Sequence, residues 1–185
     1  CALLRAAADL GLRTAAVKPV AAGCDEQGHN EDALQLMEAM TESMEYDQVN
    51  PVALTPAIAP HIAAEREGKR LQAPRLAGIC RGVMMGSADL VLIEGAGGWR
   101  VPLNPRETLA DLAIAIQAPV IMVVAMRLGC INHALLTAEA IRRDGLQLAG
   151  WVANQPGQVM ACHQENLDTL KSLIPAPLLA EIPKL

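Results

Sequence analysis

The chain has 185 residues, a formal net charge of −5 and 52% apolar residues, with no Phe, two Trp and one Tyr. That length suits one domain with an aliphatic core of Ala, Leu, Ile, Val and Met. The acidic balance leaves no basic footprint for nucleic acid, and no apolar run approaches the roughly 18 residues that span a bilayer.

Residues 1–11 have the spacing of an amphipathic helix closed by Gly11. An apolar run over 14–20 then predicts a strand that delivers Lys18 to its carboxyl end. A polar loop from Gly23 leads to Asn30, an N-cap for a helix over 31–40 whose first turn is acidic at Glu31 and Asp32. Pro51, Pro56 and Pro60 make Val49 to Ile62 read as an irregular excursion, after which a helix runs from about Pro74 to Met85.

The stretch 88–94 reads as a buried parallel strand ending in Glu94, and Gly95-Ala96-Gly97-Gly98 lets backbone approach a ligand closely. Further strands are predicted over 119–125, 148–153 and 178–182, with helices over 108–117, 131–145 and 160–173. This alternation implies an α/β fold, a mostly parallel sheet with right-handed crossovers and helices on both faces. Ligands of such sheets bind outside the carboxyl ends of the strands, where Lys18, Glu94, Gly129 and Asn154 fall, so these ends are expected to share one site.

Cysteines at 1, 24, 80, 130 and 162 are odd in number and form no C-x-x-C pair, so neither a disulfide framework nor a zinc site is expected. The four histidines are scattered as well. No signal-peptide pattern precedes the first helix, and a reduced, cytoplasmic protein is the expectation. Neither G-x-G-x-x-G nor G-x-x-x-x-G-K-[ST] occurs.

In order along the chain, Val17-Lys18-Pro19-Val20-Ala21-Ala22-Gly23, Asn30-Glu31-Asp32-Ala33, Ala59-Pro60-His61, Ile93-Glu94-Gly95-Ala96-Gly97-Gly98-Trp99, Leu128-Gly129-Cys130-Ile131-Asn132-His133-Ala134 and Gly150-Trp151-Val152-Ala153-Asn154 resemble the dethiobiotin synthetase family. The resemblance implies a single P-loop NTPase-like domain over 1–185. It also implies ATP- and Mg2+-dependent closure of the ureido ring of dethiobiotin from 7,8-diaminopelargonate and CO2 or bicarbonate, through a carbamate and a carbamic-phosphoric anhydride, in a cytoplasmic homodimer. It makes Lys18 the catalytic residue and Asp32 and Glu94 the magnesium acids. Gly95, Ala96, Gly97, Asn154, Gln155, Pro183, Lys184 and Leu185 are implied on the nucleotide, and Ala22, Gly129 and Cys130 on the substrate.

Two positions depart from the family pattern. Ala22 stands where a hydroxyl residue commonly contacts substrate, and Asn166 stands where a Tyr can reach the substrate carboxylate of the partner subunit. The resemblance further expects a strand and phosphate loop, on the order of 20 residues, before Cys1. It also expects continuation beyond Leu185, and with the phosphate loop missing it expects no detectable dethiobiotin formation from residues 1–185 alone. The rival readings are a related ATP-dependent amidoligase, which would need a glutamine-using domain, and a non-catalytic binding or dimerisation module.

Overall fold

The computed structural model describes residues 1–184. The chain divides into two compact units, Cys1–Ile116 and the residues from Gln117 onward. Within both, the named strands pair in parallel.

In the first unit, α1 (Ala2–Asp9) ends where Gly11 takes φ +81°. The Gly11 N–H donates to the Ala8 carbonyl at 2.8 Å and the Leu12 N–H to the Ala7 carbonyl at 3.1 Å. This closing turn satisfies two helix-end carbonyls and needs a left-handed residue. Strand β1 (Thr14–Val17) follows and is buried throughout.

The sequence predicts a strand to residue 20, but the ladder stops at Val17 because Pro19 has no N–H to offer it. The chain re-enters a second, two-stranded sheet as β2 (Ala21–Ala22), then forms α2 (Glu31–Ala39) and α3 (Tyr46–Val49). β2 pairs with β3 (Ala53–Leu54), inside the stretch expected to be irregular. The same stretch also starts α4 (Pro60–Arg66), with Pro60 in the first turn, where its missing N–H costs no intrahelical bond.

Helix α5 (Ala73–Met84) returns the chain to β4 (Leu90–Ile93), which pairs with β1 from Thr14↔Leu90 to Val17↔Ile93. The register is pinned at its amino end by Arg13, whose Nη2 and Nε meet the two Asp89 carboxylate oxygens at 2.9 and 3.1 Å. The Asp89 N–H donates to the Arg13 carbonyl at 2.8 Å. Helix α6 (Leu109–Ile116) ends the unit.

Strand side chains alternate between faces. Ala16 packs with Leu4 of α1 and with Leu36 and Ala39 of α2, while Leu92 of β4 joins the same cluster. Its neighbour Ala15 lines a cleft with Ile79 and Val83 of α5. Helices therefore cover both faces of the β1–β4 pair, and alanines in β1 let them approach closely.

The second unit is a three-stranded parallel sheet in the order β5 (Val120–Ala125), β6 (Leu148–Asn154), β7 (Leu178–Ile182). Helices α7 (Cys130–Arg143) and α8 (His163–Leu173) make the crossovers. Trp151 and Ala153 of the central strand are fully buried. Among the described residues no helix is long and apolar enough to cross a membrane.

Candidate active site

The site in the first unit follows from strand register. Because Val17 pairs with Ile93, the next residues, Lys18 and Glu94, leave the sheet side by side, and the Glu94 N–H donates to the Val17 carbonyl at 2.8 Å. Lys18 Nζ donates to Glu94 Oε1 at 2.7 Å and reaches Asp32 Oδ2 at 2.9 Å. Asp32 comes from the first turn of α2, whose cap is Asn30: its Oδ1 accepts the Ala33 N–H at 3.3 Å.

The Lys18 side chain is 5% exposed, against 58% for Asp32 and 44% for Glu94. The ammonium is thus removed from water while both carboxylates keep oxygen lone pairs open to it. Burial pushes the Lys18 pKa down, but hydrogen bonding and charge from Glu94, then from Asp32, more than offset this, and the net shift is upward. Lys18 stays an ammonium at neutral pH. Its main chain is fixed too: its N–H donates to the Val49 carbonyl at 2.7 Å, and its carbonyl accepts Asn50 Nδ2 at 2.8 Å.

Asp32 and Glu94 suit a small hard cation. Magnesium takes one or two protein carboxylates and completes its shell with water and phosphate oxygens, so it needs no all-protein cage. No cluster of three or more His, Cys, Asp or Glu that could hold a metal occurs among the described residues.

Gly95, Ala96 and Gly97 follow Glu94 directly in an open loop, and Gly97 takes φ +80°, where a side chain would be strained and its Cβ would crowd Val101 Cγ2 at 3.1 Å. Ala22 lies in β2, half-buried, its carbonyl facing Asn30 Nδ2 at 3.5 Å. The cleft lined by Ala15, Glu42, Asp47 and Ser87, about 540 Å³, opens at the amino end of β1 and involves none of the predicted residues.

In the second unit, Gly129 is the N-cap of α7 at φ +92°, and Cys130 is buried at its first position. The Cys130 N–H, expected to face a substrate carboxylate, donates to the Arg127 carbonyl at 2.9 Å, so a ligand would share it. Asn154 ends β6, half-buried.

Gln155, expected at the purine, is 6% exposed, and its Nε2 donates to the Gln158 carbonyl at 2.7 Å. Here it fastens its own turn. Pro183 and Lys184 are exposed beyond β7, and Leu185 lies outside the described residues. Asn166 turns inward along α8, its Nδ2 donating to the Cys162 carbonyl at 2.7 Å.

Sequence reasoning missed Asn50 and Tyr46. The Tyr46 hydroxyl accepts the Asn30 N–H at 2.7 Å and donates to Asn50 Oδ1 at 3.0 Å. The available signal was Glu45-x-x-Gln48, an N-terminal helix signature in which the Gln48 side chain accepts the Glu45 N–H at 2.9 Å.

Parallel strands joined by helices, with Lys18 and Glu94 at the carboxyl ends of a strand pair and Asp32 reaching them from the first turn of α2, place the chain in the P-loop NTPase-like α/β class, and a family model described as an AAA domain matches residues 1–185. The ATP-dependent dethiobiotin synthetase BioD of Marinobacter nauticus is 55% identical over 98% of this chain and 80% of its own length. The protein of the same description from Cellvibrio japonicus is 59% identical over 99% and 81%, and that from Pseudomonas aeruginosa (strain UCBPP-PA14) is 55% identical over 99% and 82%. The chain belongs to the dethiobiotin synthetase family.

Proposed function

We propose that this protein closes the ureido ring of dethiobiotin from 7,8-diaminopelargonate and CO2 at the expense of ATP, in biotin biosynthesis. The observation that carries the reading beyond family membership is the buried Lys18 ammonium held between Asp32 and Glu94 at the ends of two paired parallel strands.

One substrate amine adds to CO2 and loses a proton to give a carbamate. A carbamate oxygen displaces ADP from the γ-phosphorus, forming a carbamic-phosphoric anhydride. The neighbouring amine then attacks the carbamyl carbon, phosphate leaves with its bonding pair, and the ring closes. Negative charge moves among carbamate, phosphoryl group and leaving phosphate, and a fixed ammonium stabilises it without reorganising. Lys18 fills that role, with its Nζ position set by two carboxylates and its main chain set by Val49 and Asn50.

Magnesium, with Asp32 and Glu94 as its protein ligands, supplies neutralisation of the phosphate oxygens when bound. Gly95, Ala96 and Gly97 give the nucleotide a close backbone wall. On the strength of the resemblance, Asn154, Gln155, Pro183 and Lys184 are assigned to the base, and Ala22, Gly129 and Cys130 to the substrate. The functional form is taken as a cytoplasmic homodimer of one domain per chain.

The test is the protein expressed from its whole reading frame, assayed with diaminopelargonate, bicarbonate, ATP and magnesium. Dethiobiotin and ADP in equal amounts are expected, with product formation lost in Lys18→Met. Nucleotide hydrolysis without dethiobiotin, or product formation indifferent to Lys18, would overturn the reading.

A further inference from the structure

The Tyr46 hydroxyl sits between the two chain segments that carry Lys18 and Asp32. On one side it accepts the N–H of Asn30, the cap of the helix that presents Asp32, at 2.7 Å. On the other it donates to Asn50 Oδ1 at 3.0 Å, which leaves Asn50 Nδ2 to donate to the Lys18 carbonyl at 2.8 Å and to the Val52 carbonyl at 3.4 Å.

Each bond has one possible direction. A backbone N–H can only donate, so the phenol oxygen accepts it and its own proton goes to Asn50. That fixes the Asn50 amide with its nitrogen toward Lys18. Asn30, Asn50 and Lys18 are all buried, where an orphaned polar group is costly and a satisfied network is rigid. The His29 ring packs on Tyr46 at 4.5 Å between centroids and contributes nothing to the relay.

We propose that Tyr46 is a positioning residue for the reaction: its hydroxyl couples the N-terminus of α2 to the Lys18 main chain and so fixes the Lys18–Asp32 pair. This rests on the reading of Lys18 given above. Burial foremost raises the phenol pKa, with Asp25, Asp47 and the Cys24 thiol adding to the rise and the Asn30 N–H opposing it, so the hydroxyl keeps the proton it must donate.

Tyr46→Phe removes only the hydroxyl and keeps the ring against His29. The expected result is a kcat lower by about 10- to 100-fold, since small misplacements of reacting groups cost that much, with the KM for diaminopelargonate little changed. His29→Ala, which spares the relay, should lose thermal stability and retain kcat. Replacement of Tyr46 by p-aminophenylalanine, whose amine can both accept and donate, should restore most of the rate.

A readout independent of turnover is amide hydrogen exchange, followed by mass spectrometry. The Asn30 N–H donates to the Tyr46 hydroxyl and the Ala33 N–H to the Asn30 side chain. Exchange at these two amides should quicken in Tyr46→Phe and not in His29→Ala. Should Tyr46→Phe fail to fold, Asn50→Ser, which withdraws the amide from the Lys18 carbonyl, must show the same kcat loss.

A Tyr46→Phe protein with lowered Tm but unchanged kcat would reduce Tyr46 to a brace of the fold and overturn the proposal. If Lys18→Met also left turnover intact, the reading of the site would fail first, and amide exchange at Asn30 and Ala33 would then decide the Tyr46 relay.

Discussion

Lys18→Met separates stability from chemistry, because the Met stem fills the apolar part of the Lys volume and deletes only the charge. Ion pairs at 2.7 and 2.9 Å are lost, each with a gross attraction of about 6 kcal/mol at an effective dielectric of about 20. Most of that never reaches stability. The ammonium had to be desolvated, and both carboxylates are more than one-third exposed, so water screens them.

The net cost of the substitution is about 1–2 kcal/mol, which for a chain of this size lowers Tm by about 2–8 °C. Turnover should fall far more, by about 10²–10³-fold, the usual loss when a fixed charge or donor on the developing negative charge is deleted. Thermal unfolding beside steady-state kinetics on folded protein measures both. The sign with pH is also set: the Lys18 pKa is raised in the fold, so its ion-pair stability is present below the ordinary value of 10.5 and lost as pH rises through the folded value. The gap in Tm between the two proteins should therefore close at strongly alkaline pH. A rate within threefold of the parent, or a rate loss that merely tracks the unfolded fraction, would refute the reasoning.

Glu94→Gln keeps a hydrogen-bond acceptor for Lys18 but drops a charge, and is expected to raise the magnesium concentration needed for half-maximal rate, by about tenfold or more; a titration of rate against magnesium checks this. Arg13 holds the Asp89 carboxyl down at about 2, by side-chain and then backbone hydrogen bonds. Its contribution to stability is present above the ordinary value of 3.8 and fades as pH falls toward 2, so Asp89→Asn should abolish that segment of the Tm–pH profile. Cys1 and Cys162 are exposed, whereas Cys24, Cys80 and Cys130 are buried, and burial pushes the Cys80 thiol up to about 11. Iodoacetamide at neutral pH should label only Cys1 and Cys162 in the native protein, read by peptide mass spectrometry, and native labelling of Cys80 would contradict the packing around α5.

The aliphatic runs made the long strands readable, although β4, expected to be buried, is half-buried along its whole length, and β7 alternates half-buried with exposed residues. The Lys18–Glu94 contact was implicit as well: two strands that end in polar residues bring those residues together once parallel register is assumed. What local pattern could not carry was the return of the chain through β3, a strand of two residues among prolines. That return seats Asn50 on the Lys18 carbonyl, a contact 32 positions apart. Gln155 carries a different lesson: an amide suits a purine edge and a tight turn equally well, and residue type alone does not choose between them; its Nε2 donates to the Gln158 carbonyl while its Oε1 is buried with no partner among the described residues.

Charge explains why the site has this composition. Lys18, Asp32 and Glu94 together carry one formal negative charge, and the exposed side of the cluster is the carboxylate side. A nucleotide polyphosphate would be repelled there by itself. A divalent cation on the two carboxylates reverses the sign, so the site becomes attractive to phosphate only with that ion present, while the buried ammonium keeps the two acids from driving each other apart in its absence. On the proposed reading, Lys18 thus acts before catalysis as well as during it: it holds Asp32 and Glu94, which would bind the cation, on either side of its ammonium, and it would then stabilise the charge on the transferring phosphoryl group.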